Sequence, residues 1–333
     1  MCFPSVRFPS FCNLKKYALG IALLSLSALP IAASAAAPLN LGSSAALVMD
    51  EQSGEVLFGK NAASILPIAS ITKLMTAMVV LDAMLDPNEP LTVTNDDVDW
   101  LRSSHSKLAV GVTLTRDEML RLALMASENR AAHALGRNYP GGTPAFVEAM
   151  NNKAQSLGLQ GTRYADPTGL SSTNVSTAED LGKMVRAAHD YPEIREYSTM
   201  TNFNVTANGR PLAFRNTNAL VMSPDWEIGL SKTGFINEAG RCLVMQTRLA
   251  GRAVVIVLLD SWGRYTRTAD AARIRKWLEV AAGYVSPKAV ASAAKAKVAR
   301  AKAPAPAVRA KSPRPTVKAG GNTVSLMGWG SPA

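Results

Sequence analysis

The sequence predicts an α/β (α+β) fold in which one antiparallel sheet carries an inserted helical subdomain. Three observations predict it. Short strand-like apolar segments occupy both ends of residues 37–285, helical periodicities fill the middle, and turns rich in Gly, Pro and Asp separate them.

The elements follow in chain order. Ala45-Ala46-Leu47-Val48-Met49, a turn at residues 50–54 and Val56-Leu57-Phe58 read as a hairpin with one buried face. Residues 70–85 follow Pro67 and place Ile71, Leu74, Met75, Met78 and Leu81 at helical spacing, until Asp86-Pro87 stops them. Further helices are predicted at 116–125, 129–136, 144–157 and 177–190, with loops at 139–142 and 166–169. Strand character returns at 227–235, 241–249 and 253–259. The run from Val254 to Leu259 is apolar on both sides, as a central strand covered by helices requires. A last helix, 268–282, carries Ile274, Trp277 and Leu278 on one face, and Trp262 and Trp277 read as packing residues.

Charge divides the chain into three parts. The chain has 333 residues, 36 Lys plus Arg against 25 Asp plus Glu, and a net charge of +11. Residues 1–36 hold three bases and no acid, and residues 286–333 hold nine bases and no acid. The middle is therefore close to neutral. The first part reads as an export signal: Arg7, Lys15 and Lys16 precede an apolar stretch at 17–29, then Pro30 and the small-residue site Ala33-Ser34-Ala35. The last part, rich in Ala, Lys and Pro, is predicted to be disordered. Two readings of it stay open: a cationic arm for an anionic wall polymer or membrane surface, and a solvated linker. A nucleic-acid partner is not expected of an exported protein with a neutral body.

The chemistry-bearing residues are few. Ser70-Ile71-Thr72-Lys73 puts a hydroxyl and an amine on one helix face, within a turn of each other. Serine is a weak nucleophile that needs a base, and lysine can serve where burial and nearby positive charge lower its pKa. Ser104-x-x-Lys107 and Ser292-x-x-Lys295 match the same pattern, so spacing alone decides nothing. Company decides it. Ser127-Glu128-Asn129 and Lys232-Thr233-Gly234 follow in order, 57 and 105 residues on, at a helix junction and on a strand. The ordered set resembles the motif triplet of penicillin-binding proteins and class A β-lactamases. Ser172-Thr173-Asn174 is a rival second element in a less suitable loop.

Other candidates read as structural. Cys242 lies in an alternating strand and suits a small core hydrophobe. His105, His133 and His189 lack metal-ligand spacing, and no metal or other cofactor is expected. Gly141-Gly142 opens a helix but lacks the downstream Lys-Ser/Thr of a phosphate loop.

Residues 66–76, Leu-Pro-Ile-Ala-Ser-Ile-Thr-Lys-Leu-Met-Thr, resemble the nucleophile segment of the D-alanyl-D-alanine carboxypeptidase family of serine peptidases. Ser127-Glu128-Asn129-Arg130-Ala131-Ala132, Tyr139-Pro140-Gly141-Gly142, Phe214-Arg215-Asn216-Thr217-Asn218 and Lys232-Thr233-Gly234-Phe235 resemble its DD-endopeptidase, penicillin-binding branch. The resemblance covers about residues 40–283.

It implies a β-lactamase/transpeptidase-like fold, with the sheet flanked by N- and C-terminal helices. The charge partition sets the domain at 37–285 between the export signal and the tail, and the export signal predicts location in the periplasm, soluble or loosely membrane-associated. Ser70 would attack the carbonyl, Lys73 take its proton, and Ser127 pass a proton to the leaving amine. Asn129, Lys232, Thr233 and Gly234 would hold substrate. The N–H groups of Ser70 and Phe235 would form the oxyanion hole. The implied partners are peptidoglycan peptide cross-links as substrate and β-lactams as covalent inhibitors; the alternatives are a DD-carboxypeptidase removing terminal D-alanine and a non-catalytic wall-binding or β-lactam-sensing module. Residues 165–176 contain only Asp166 as an acid, where a class A β-lactamase places its deacylating glutamate, which argues against fast β-lactam hydrolysis.

Overall fold

In the computed structural model the described residues are 38–284, except 101 and 103. The export signal, the basic tail and the Ser292-x-x-Lys295 match lie outside them.

The chain opens with strands β1 (Ser43–Asp50), β2 (Val56–Lys60) and the two-residue β3 (Leu66–Pro67), then a 3₁₀ turn at Ala69–Thr72. Helix α1 (Lys73–Asp82) leads to a small ribbon, β4 (Pro90–Thr92) and β5 (Thr113–Thr115). Helices α2 (Arg116–Met125), α3 (Asn129–Arg137) and α4 (Gly142–Ser156) follow, then β6 (Val175–Ser176), which pairs with β3. After α5 (Ala178–His189) and α6 (Pro192–Thr199) comes a hairpin of β7 (Asn202–Ala207) and β8 (Arg210–Arg215). The chain closes with β9 (Glu227–Ile236), β10 (Gly240–Leu249), β11 (Arg252–Ser261) and α7 (Thr266–Ala281).

The main sheet is antiparallel, in the order β2-β1-β11-β10-β9. Its central strand is β11, the one with the unbroken apolar run. Side chains alternate across it: Val255, Val257 and Leu259 join the core on the helical-subdomain side, and Val254, Ile256 and Leu258 join the smaller core under α7. Helix α5 lies close on the first face, because Gly182 leaves no room for a side chain: a Cβ there would stand 2.6 Å from Leu47 Cδ2. On the second face Asp270 of α7 accepts hydrogen bonds from the N–H groups of Gly42 (3.0 Å) and Ser43 (2.8 Å) and from the Ser43 hydroxyl (2.7 Å). Burial alone would raise its carboxyl pKa, but these bonds and Arg273 outweigh burial and hold it below the usual value. The grip delivers the chain straight into β1. The expected N-terminal flanking helix does not occur among the described residues, and α7 covers this face.

Several boundaries differ from the sequence reading. Ser70 does not open the α-helix. It sits in a 3₁₀ turn, and α1 begins at Lys73 and ends at Asp82 rather than Leu85. Nor does α1 have a single apolar stripe; residues 73–80 are buried all round, so this is the central helix of the core. Helix α6 and the β7–β8 hairpin are additional elements. Trp277 packs edge-on against Phe58, with centroids 6.2 Å apart, but Trp262 is 89% exposed and packs no core, because it lies in the connection between β11 and α7. Cys242 is buried on β10, and its thiol is pushed up to about 11 by burial. His133 and His189 are engaged by carboxylates, Asp97 and Glu51, each at 2.7 Å, whereas His105 is exposed.

Candidate active site

The three motifs meet between β9 and the helical subdomain. Ser70 follows Ala69, whose φ of 46° is left-handed, so the turn presents the serine at a bend rather than along a helix. Two glycines press on this bend. A Cβ on Gly169 (φ 83°) would overlap the Ala69 carbonyl and stand 2.8 Å from the Ser70 nitrogen. One on Gly234 of β9 would stand 2.9 Å from the Ile68 oxygen and 3.1 Å from the Ser70 nitrogen. Only glycine allows both approaches. This gives Gly234 a steric reason beyond its place in the motif.

Lys73 is fully buried and has three polar neighbours. Its Nζ lies 2.9 Å from Ser70 Oγ, 2.7 Å from Asn129 Oδ1 and 2.6 Å from the Thr168 carbonyl oxygen. Burial pulls its pKa down to about 7, against an opposing attraction from Asp166 and Glu128. A neutral amine has two N–H bonds and one lone pair. The Asn129 and Thr168 oxygens can only accept, so they take the two N–H bonds. The lone pair is left for the Ser70 hydroxyl.

Ser127 occupies the bend between α2 and α3, half-buried, with a left-handed φ of 57°. Such a conformation costs a non-glycine residue about 1–2 kcal/mol and persists only where its surroundings impose it. They do so here. The Glu128 N–H donates to Leu122 O (3.1 Å), and the Glu128 carboxylate accepts from Ser106 Oγ (2.6 Å) and the Arg130 N–H (3.3 Å). Two residues before Ser127, the Met125 carbonyl accepts from the Thr217 N–H (3.2 Å), and the Thr233 hydroxyl donates to the Thr217 hydroxyl (2.7 Å). These bonds fasten the Ser127 bend to the strand carrying Lys232, Thr233 and Gly234.

Lys232 is buried, and its Nζ donates to the Thr233 carbonyl at 3.0 Å. Burial first, and then repulsion by Lys73 and Arg267, drives its pKa well below the usual lysine range. Its positive charge is thus disfavoured in the free enzyme. Arg267 donates to the Gly234 (3.1 Å) and Cys242 (3.0 Å) carbonyls and steadies the end of β9. Phe235, whose N–H is the second expected oxyanion donor, is half-exposed on that end, with Arg241 over its ring.

The loop at 165–176 supplies what the motifs omit. Asp166 accepts from the Thr168 N–H (2.6 Å) and hydroxyl (2.6 Å), the Gly169 N–H (2.8 Å) and the Ser171 N–H (2.9 Å). Asn174 is fully buried. It accepts from the Ala165 N–H (2.7 Å) and donates to Asp166 O (2.9 Å) and Thr72 Oγ1 (3.1 Å). The Thr76 hydroxyl donates to Pro167 O (2.6 Å). Loop and helix therefore fix Thr168 O against Lys73. The rival motif Ser172-Thr173-Asn174 belongs to this scaffold and not to the Ser70–Lys73 contact. Ser104-x-x-Lys107 lies apart from that contact, with Lys107 bonded to Ala213 O. A cavity of about 700 Å³ opens beside Asn129 and Thr168, with Leu170, Ser171, Arg102 and Glu238 in its wall. Among the described residues no cluster of His, Cys, Asp or Glu could hold a metal ion.

Known proteins share the sequence and the fold that carry this site. The D-alanyl-D-alanine carboxypeptidase family matches residues 31–262. A D-alanyl-D-alanine endopeptidase of Pseudomonas aeruginosa is 50% identical over 258 residues, covering 77% of this chain and 82% of the relative. One from Escherichia coli is 44% identical over 272 residues, covering 81% and 87%. Among solved structures, a Streptomyces DD-transpeptidase superposes with a TM-score of 0.67 at 27% identity, covering 72% of this chain and 98% of its own. A D-alanyl-D-alanine carboxypeptidase of Mycobacterium tuberculosis superposes with a TM-score of 0.68 at 26% identity, covering 76% and 96%. Motifs, fold and relatives agree: the chain is a serine peptidase and belongs to the D-alanyl-D-alanine carboxypeptidase family.

Proposed function

We propose that the enzyme is a DD-endopeptidase that opens D-alanyl cross-links in peptidoglycan through an acyl-enzyme on Ser70. The observation that carries the mechanism is the Lys73 amine, 2.9 Å from Ser70 Oγ, with the acceptor oxygens of Asn129 and Thr168 at its other two contacts. Lys73 takes the Ser70 proton as Oγ attacks the D-alanyl carbonyl. The N–H groups of Ser70 and Phe235 receive the oxyanion. Ser127 passes a proton to the departing amine, and Asn129 holds both substrate and Lys73. Thr233 and Lys232 bind the carboxylate side of the substrate; an arriving carboxylate favours the protonated form of Lys232, which the empty site disfavours. Gly234 keeps the strand surface open. Water then hydrolyses the ester. A β-lactam enters the same path as a covalent inhibitor.

The two endopeptidases at 50% and 44% identity support cross-link cleavage over trimming of terminal D-alanine, since carboxypeptidase relatives such as that of Bacillus subtilis stand at 29%. The Ser70–Lys73 contact speaks against a non-catalytic binding module, which has no use for an aligned base. In this reading residues 1–36 direct export to the periplasm, residues 37–285 form the catalytic domain, and the tail at 286–333 supports contact with an anionic wall or membrane surface. Opening cross-links there serves remodelling of the wall and hence cell shape.

Mass analysis of muropeptides after incubation with the purified enzyme tests the reading. Loss of cross-linked dimers is expected; loss of terminal D-alanine alone overturns it. Fluorescent penicillin should label the wild type and not Ser70→Ala, and persistent labelling of that variant refutes the nucleophile.

A further inference from the structure

Two cavities flank the Ser127–Asn129 bend, and their charges are opposite. The cavity beside Asn129 and Thr168 has Asp96, Asp97, Asp99, Asp166 and Glu238 in its wall, against Arg102 and His133. The second, of about 440 Å³, is lined by His105, Lys107, Ala126, Glu128, Phe214 and Arg215, together with Ala213. Ala126 and Glu128 are the immediate sequence neighbours of Ser127.

The cations of the second cavity are placed rather than loose. The Lys107 ammonium donates to the Ala213 carbonyl at 2.8 Å and lies 5.3 Å from the centre of the Phe214 ring, so a backbone dipole and a ring face hold it at the wall. Arg215, at the end of β8, is exposed to solvent. Glu128 is the one acid in this lining, and its buried carboxylate is already taken by Ser106 and the Arg130 N–H. Two full positive charges therefore face one engaged carboxylate. The mechanism above uses neither Lys107 nor Arg215.

We propose that this cavity is a leaving-side subsite that binds carboxylates of a peptidyl leaving group. The inference rests on the endopeptidase reading and on the role given there to Ser127. Ser127 delivers its proton to the departing amine, so the departing half of the substrate lies on the Ser127 side of the cleft. A single D-alanine carries only the carboxylate next to the scissile bond. A departing peptide strand carries further carboxylates at longer reach, and Lys107 and Arg215 line the cavity shared with Ala126 and Glu128, the neighbours of Ser127, where they can receive one. The acidic cavity across the bend repels the same groups, so the two together fix the direction in which a cross-link lies.

The test compares two substrates: a cross-linked muropeptide dimer, and the same dimer with its leaving-strand carboxylates converted to carboxamides, except the one next to the scissile bond, which Lys232 and Thr233 hold. At low ionic strength the full chain should cleave the native dimer with a kcat/KM about tenfold higher, and salt should shrink the preference. Lys107→Gln combined with Arg215→Gln should reduce it to less than about twofold, and Lys107→Arg with Arg215→Lys should keep it. Equal cleavage of the two dimers by the wild type overturns the subsite, as does an undiminished preference in the charge-free variant. If that variant fails to fold, the wild-type comparison still decides. Cleavage of neither dimer, with penicillin labelling of Ser70 intact, is a different failure: it refutes the endopeptidase reading, and the subsite falls with it.

Discussion

The Lys73 amine and the Thr168 carbonyl oxygen stand 2.6 Å apart although 95 residues separate them in the chain. A backbone oxygen cannot ionise, so it orients the amine without adding a charge that would hold the proton on it. Asn129 Oδ1 does the same from α3.

Acylation should therefore follow the neutral form of Lys73. With its pKa at about 7, the rate of acylation by penicillin is expected to rise with pH through 7 and level off above it. Glu128→Gln keeps the acceptor oxygen but removes a charge that raises this pKa, so its limb should move to lower pH. The linkage has a definite sign. The unfolded chain binds this proton up to about 10.5 and the folded one only up to about 7, so this group makes stability rise with pH between those values. A bell centred below pH 6 in stopped-flow acylation would contradict the assignment.

Gly169→Ala should be severe. The added methyl overlaps the Ala69 carbonyl, and the residue must keep a φ of 83°. Strain and overpacking together cost about 3 kcal/mol or more, read as a lower urea midpoint. Labelling by penicillin should slow by at least about tenfold, because the bend that moves carries Ser70. Unchanged labelling would mean the bend does not position the nucleophile.

Asn174→Ala separates the rival motif from the scaffold reading. Removing a buried side chain that holds Ala165, Asp166 and Thr72 should cost about 3 kcal/mol. The variant should still label with penicillin at low temperature, more slowly. Complete loss of labelling in a folded protein would give Asn174 a direct part in the chemistry.

Acid should destabilise the fold at a definite place. Burial would raise the Asp97 carboxyl, but bonds from His133, Arg137 and the Thr94 N–H outweigh it and lower its pKa to about 2. Its contribution, about 2 kcal/mol, is present above the ordinary carboxylate value of 3.8 and is lost as pH falls from there to about 2. In chemical denaturation Asp97→Asn should flatten that slope. A wild-type slope retained in the variant would place the effect elsewhere.

What the sequence made legible was side-chain chemistry with strong periodicity. The ordered motifs singled out Ser70, Lys73, Ser127, Asn129 and Lys232, of which the fold brings Ser70, Lys73 and Asn129 into hydrogen-bond contact, and the long strands β9, β10 and β11 were bounded to within a residue or two. Thr168 escaped because it acts through its carbonyl, which every residue type carries. Gly169 escaped because Asp166-Pro167-Thr168-Gly169 also describes an ordinary turn, and only the fold brings it onto Ala69. The β7–β8 hairpin did have a signal: Asn208-Gly209, with φ of 50° and 74°, between alternating apolar residues such as Val205 and Leu212. Helix α6 is short and packs on β9 by tertiary contact, which no local pattern announces.

Burial of Lys73 has one more effect, on where protons go. Its side chain has no exposed surface, and the groups around its amine belong to the site itself. A proton accepted from Ser70 cannot be handed directly to bulk water. It stays within the cleft until a group there takes it onward, and in the proposed path that group is Ser127. In that path the proton is recycled between attack and departure, and solvent enters only as the water that frees the product.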